Sequence, residues 1–206
     1  MKSLLIIGFV WPEPNSTAAG SRMLQLIEIF KQDGYTITFV STASKTDNSF
    51  DLESIGLKTN FIKLNDSSFD TLLLKINPSI VLFDRFLTEE QFGWRVEENC
   101  SAAIRILDTE DLHFLRNARQ EAFKNKTEVS NEYLTNDITK REIASIYRCD
   151  LTLIISKYEV DLLTNEFHID GVIISTPTIL HFGIAVEALN LGLDILIEKP
   201  ISATVK

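Results

Sequence analysis

The sequence predicts an α/β fold: a doubly wound, mostly parallel Rossmann-like sheet with helices on both faces. Three observations carry that expectation. Short, near-continuous aliphatic runs alternate with longer stretches of helical period. The runs are rich in Leu, Ile and Val with little polar alternation, as in strands covered on both faces. Several of them end in polar residues, where open α/β sheets bind their ligands.

In chain order, strands are expected at residues 4–10, 36–41, 60–63, 80–84, 104–108, 151–155, 172–175 and 194–197. Helices are expected at 20–32, 69–76, 89–99, 111–124, 131–147, 157–166 and 178–191. The first helix has an apolar face of Met23, Leu24, Leu26, Ile27 and Phe30, and Gly34 stands where a left-handed residue would close it. Ser156 followed three residues later by Glu159 reads as a capping box. Residues 122–129 are polar and read as a loop.

Composition excludes several classes. The formal charge of −9 and pI near 4.9 repel phosphate backbones, so no nucleic-acid partner is expected. The clearest mixed-charge stretches, Arg116 to Arg119 and Lys140-Arg141, are short and read as solvated helix faces. Cys100 and Cys149 are far apart, without zinc-knuckle or disulfide spacing. The apolar start is short and runs into Trp11-Pro12-Glu13-Pro14, which favours a buried first strand over a signal peptide. No run reaches the roughly 18 apolar residues of a membrane span. A cytoplasmic protein is the expectation, and its oligomeric state is not legible.

Polar strand ends mark the candidate sites. The small-residue loop from Trp11 to Arg22 leads into a helix N-terminus, whose amides suit a phosphate or sugar hydroxyls. An ordinary surface connection explains it equally well, and it is neither a GxGxxG turn nor a P-loop. Strand four ends in Asp84-Arg85. Strand five ends in Asp108-Thr109-Glu110-Asp111-Leu112-His113. This second group offers a general base, hydroxyl anchors or metal ligands. N-capping by Asp111 or Thr109 accounts for much of the same pattern, and no metal is expected.

Residues 1–168 resemble the N-terminal half of a B-fold glycosyltransferase. The likeness rests on four stretches: Val10 to Pro14 with Ala18-Ala19-Gly20; Phe83 to Phe86 with Glu89 to Trp94; Ile106 to His113; and Cys149 to Glu159. In that family two Rossmann-like halves face each other. The N-terminal half receives the acceptor, and the C-terminal half holds the nucleotide sugar. The resemblance implies catalytic roles for Asp108 and His113. It implies substrate contacts from Ala19, Gly20, Arg22, Asp84, Arg85 and Glu110. The partner it implies is a glycan or lipid-linked acceptor. With the donor half not among these residues, glycosyl transfer by this chain alone is not expected, because groups stabilising the leaving diphosphate would be missing.

Residues 171–206 are similar to an interior piece of the glucose–fructose oxidoreductase and inositol dehydrogenase family. Val172 to His181, Glu187 to Gly192 and Glu198-Lys199-Pro200 carry that likeness. It implies Thr176, Pro177 and Glu198 beside an NAD(P) cofactor and Lys199 as a catalytic lysine. The glycine-rich pyrophosphate turn is not found in the sequence, so no cofactor is expected to bind tightly. The change of resemblance near residues 168–171 suggests a join between two unrelated pieces, the second adding a strand and helix to the first one's sheet. The remaining alternative is a non-enzymatic module that binds a glycan acceptor.

Overall fold

The computed structural model describes residues 2–167, 171–174, 185–186, 189–190 and 194–197. The architecture is the expected α/β, Rossmann-like one. The chain separates into two compact units, Met1–Leu107 and Asp108–Lys206.

The first unit contains β1 (Ser3–Gly8), α1 (Ala18–Gln32), β2 (Thr36–Ser41), a short 3-10 turn (Glu53–Ile55) and β3 (Lys58–Phe61). It continues with α2 (Ser68–Ile76), β4 (Ile80–Asp84), α3 (Arg85–Asn99) and β5 (Ile104–Asp108), which runs to the unit boundary. The strand order is β3-β2-β1-β4-β5. β1 lies parallel to both β2 and β4, and β2 parallel to β3. The order reverses between β1 and β4, so this unit has a topological switch point there. Right-handed crossovers then put α1 on one face and α2 and α3 on the other. The contacts agree. Asp70 of α2 pairs with Arg95 of α3, and the rings of Phe69 and Phe92 meet edge-on with centroids 4.8 Å apart.

The aliphatic runs are where the core sits. Leu4 to Ile7, Val81 to Phe83, Phe39 and Val40 are fully buried. Strands buried at successive positions must be covered on both faces, which explains why their sequences do not alternate. α1 closes as expected. Gly34 takes φ 82°, its N–H reaches Lys31 O, and Tyr35 N–H reaches Phe30 O. That is a Schellman motif, which satisfies two of the last carbonyls.

The second unit contains α4 (His113–Asn125), α5 (Asn131–Leu134), α6 (Asp137–Arg148), β6 (Leu151–Ile154), α7 (Lys157–Phe167), β7 (Gly171–Ile174) and β8 (Asp194–Ile197). β7 pairs parallel with β6, Leu153 opposite Ile173, and β8 pairs parallel with β7.

Three expectations are corrected. The helix expected at residues 89–99 begins at Arg85, directly after β4. The single helix expected at 131–147 is two. Asn136 breaks it with a capping box, accepting from Thr139 N–H at 3.1 Å while Thr139 Oγ1 faces Asn136 N–H at 3.4 Å. The helix expected from Asp111 starts at His113, with Leu112 in the N-cap position and no cap from a residue of its own.

Candidate functional site

At the switch point of the first unit, the loop after β1 is held from several directions. Trp11 Nε1 donates to Ala43 O at 2.6 Å, Phe50 N–H to Pro12 O at 2.8 Å, and Thr46 Oγ1 to Glu13 Oε1 at 2.5 Å. The loop also folds back over the start of α1. Thr17 is the N-cap and accepts from Gly20 N–H at 3.0 Å, while Ser21 Oγ donates to Pro14 O. Gly20 is buried against the backbone of Glu13, which an added Cβ would meet at 2.5 Å. The chain's own loop therefore packs against one side of this helix start, at Gly20, while Thr17 and Ala18 are exposed. Gly20 is required by that close approach, and Ala19 and Arg22 are half-buried beside it.

Asp84 and Arg85 join the ends of β1 and β4. Asp84 is buried, and its Oδ2 accepts from Phe9 N–H at 2.9 Å. With its carboxylate turned to Phe9, it makes no side-chain cap for α3, although it stands in the N-cap position. Arg85 Nε lies 3.5 Å from Asp84 Oδ1, and its guanidinium sits over the Phe9 ring. Arg85 has φ 72°, a left-handed conformation that costs an L-residue about 1–2 kcal/mol. Such an outlier at a strand end is where function is sought.

In the second unit Asp108 and Glu110 meet in a tight turn, and His113 opens α4 after it. Asp108 is fully buried and its Oδ1 lies 3.4 Å from Glu110 N; Glu110 turns the chain at φ 63°. Thr109 anchors the turn by donating its hydroxyl to Leu153 O at 3.0 Å. The first amides of α4 are taken by two carboxylates from later helices. Leu112 N–H donates to Glu159 Oε1 at 3.2 Å. His113 N–H donates to Glu142 Oε1 at 3.1 Å, and Phe114 N–H to Glu142 Oε2 at 2.9 Å. Glu142 is fully buried and also faces His113 Nδ1 at 3.4 Å. Anions at a helix N-terminus are stabilised by its dipole, which favours the Glu142 carboxylate here, while burial opposes the charge on Glu159.

The sequence does not single out Glu142. Its only signal there is a carboxylate inside the apolar stripe of α6. Glu159 was read as half of a capping box. Its N–H does meet Ser156 Oγ at 3.3 Å, but its carboxylate accepts from Leu112 N–H. Burial pushes the Glu159 carboxyl above its ordinary value, opposed by the Leu112 and Ser156 hydrogen bonds. Its Oε2 has no hydrogen-bond partner among the described residues.

Thr176, Pro177, Glu198 and Lys199 lie outside the described residues. Among the described residues no group of three His, Cys, Asp or Glu is placed to hold a metal ion. No helix among them is long and apolar enough to cross a membrane. Cys100 and Cys149 form no disulfide, and burial raises the Cys100 thiol above its ordinary value.

Residues 114–206 match the family model described as an oxidoreductase family with an NAD-binding Rossmann fold. The match covers less than half of the chain and contains the tail motifs that resemble that family. Among solved structures, the chain is similar to a sucrose-phosphate synthase from Thermosynechococcus elongatus, with a TM-score of 0.55 and 12% identity. The likeness covers 81% of this chain and 45% of that one. An α-glucosyltransferase in complex with UDP-glucose and DNA gives a TM-score of 0.46 at 11% identity, over 84% of this chain and 41% of that one. The Helicobacter pylori ADP-L-glycero-D-manno-heptose-6-epimerase also gives 0.46, at 9% identity, over 84% and 65%. At these two scores the likeness carries no argument. The chain spans less than half the length of the synthase and glucosyltransferase structures. Comparison with curated proteins gives no match.

The NAD-binding description raises the question whether the described residues fit a dinucleotide. Its pyrophosphate needs open amides at a strand-to-helix turn. After β1 the Thr17 hydroxyl takes the Gly20 N–H, and after β5 two carboxylates hold the first amides of α4. The turn after β5 does not fit.

Proposed function

We propose that residues 1–168 are the acceptor-side half of a B-fold glycosyltransferase, with a glycan or lipid-linked hydroxyl as ligand. The observation that carries this reading is the turn after β5. There a half-buried imidazole, His113, is held by a fully buried carboxylate, Glu142, and Asp108 is buried at the end of the same strand. A histidine so placed suits accepting a hydroxyl hydrogen. The fold likeness to a sucrose-phosphate synthase supports the architecture this reading needs. In this reading Glu110 holds a hydroxyl of the acceptor. A donor half, on this polypeptide or another, supplies the nucleotide sugar, and the 206 residues do not transfer sugar alone.

A second reading rests on the family match over residues 114–206: a fragment of an NAD(P)-dependent sugar or inositol oxidoreductase, with Lys199, Thr176, Pro177 and Glu198 as its residues. Saturation-transfer NMR of the full chain separates the readings. A panel of mono- and oligosaccharides, UDP-glucose and NAD+ is each added in turn. The acceptor reading expects transfer to a saccharide and none to NAD+. Transfer to NAD+ with none to any saccharide overturns it in favour of the oxidoreductase fragment. Saccharide binding that persists when a donor half is supplied, without transfer or donor hydrolysis, identifies a non-enzymatic binding module. The join proposed near residues 168–171 is checked by contiguous sequencing of the gene through those codons and downstream.

A further inference from the structure

We propose that Glu142 is a positioning residue for His113, fixing the imidazole as the tautomer with its proton on Nδ1 and Nε2 as the ring's acceptor. The role of Nε2 toward a sugar hydroxyl rests on the acceptor reading above; the tautomer does not.

The geometry points to Glu142 because its carboxylate is immobilised at both oxygens. Oε1 accepts from His113 N–H and Oε2 from Phe114 N–H, at 3.1 and 2.9 Å. α6 and α4 pack together, and the Glu142 side chain is completely buried between its partners. The group therefore cannot swing away from the ring. Toward the Nδ1 atom, 3.4 Å from Oε1, it presents an acceptor, and only a protonated Nδ1 matches that. In a neutral imidazole the other nitrogen is then the acceptor. The ring is 14% exposed, so packing adds to the hold. The same carboxylate thus starts helix α4 and aims the histidine at that start. A displaced helix would misplace the ring.

The test is long-range proton–nitrogen NMR on the full chain with nitrogen-labelled histidine, at a pH where His113 is neutral. His113→Asn removes the His113 signals and so assigns them among the three histidines. The wild-type protein is expected to show the Nδ1–H pattern alone. An Nε2–H pattern overturns the proposal. In Glu142→Met, similar in length and unable to accept these bonds, the single pattern is expected to be lost. A Glu142 that only starts the helix would lower the melting temperature and leave the tautomer unchanged, which also overturns the proposal. If Glu142→Met does not fold, the wild-type pattern decides by itself. His113→Asn carries its amide N–H at the place of Nδ1, so it is expected to melt near wild type while losing saccharide saturation transfer. Failure of saccharide binding in the wild-type protein, with the Nδ1–H pattern present, overturns the acceptor reading and leaves this one standing.

Discussion

Arg85 and Glu159 each sit where the local physics is unfavourable, and each makes a prediction. Arg85 holds φ 72° at the first position of α3. Glycine reaches that region without a Cβ penalty. Arg85→Gly is therefore expected to be more stable than Arg85→Ala by about 1 kcal/mol in urea denaturation, both having lost the guanidinium. Equal stability of the two variants would show that the backbone here is relaxed. Glu159 is held protonated more tightly in the folded chain than its ordinary value of 4.5, chiefly because it is buried. Asp111 pushes the same way, and Arg119 opposes it. Stability therefore falls as pH rises from about 4.5 through the raised value, and is unaffected by this group below that. Glu159→Gln keeps an acceptor for Leu112 N–H and removes the charge. It is expected to melt above wild type at pH 7, with the gap closing below about pH 4.5. Melting curves across pH 3.5–8 check this, and a constant gap would contradict it. Asp84, Asp108 and His113 could be picked out from the sequence because polar residues at strand ends stand out. Glu142 could not, since its partners are backbone amides 28 and 29 residues earlier.

Two elements show how helix starts decide what a Rossmann-like unit can bind. The start of α1 has its own loop packed on it, with Gly20 against Glu13 at a distance no Cβ tolerates. Gly20→Ala must push the loop away, at a cost of roughly 1–3 kcal/mol. It should also loosen the Thr17 cap, seen as faster hydrogen exchange at the Gly20-position amide; unchanged exchange and stability would mean the loop moves freely. The start of α4 depends on Glu142. Glu142→Ala leaves two amides to find new partners and is expected to destabilise the chain by about 3 kcal/mol or more in urea titration. A loss under 1 kcal/mol would show that those amides are readily solvated. The strands and most helices were legible from aliphatic runs and helical period, to within one or two residues for α1, β1 and α7. The break at Asn136 and the early start of α3 were not. Each depends on a side chain choosing one hydrogen bond over another: Thr139 for Asn136, and Phe9 N–H for Asp84.

At the scale of the molecule, charge limits the partners. With a net charge of −9 the chain is expected to give no gel shift with duplex DNA at 150 mM salt, and a shift there would exclude the solvated-face reading of Arg116 to Arg119. The division into Met1–Leu107 and Asp108–Lys206 has no compositional mark, because it falls at the end of an ordinary strand. By itself the sequence determined the α/β class, the parallel aliphatic strands and the polar strand ends, because these follow from local pattern and burial. The tertiary structure alone decided which groups meet the helix starts. That depends on carboxylates and loops brought in from distant positions, and neither spacing nor composition encodes where a folded chain will aim them.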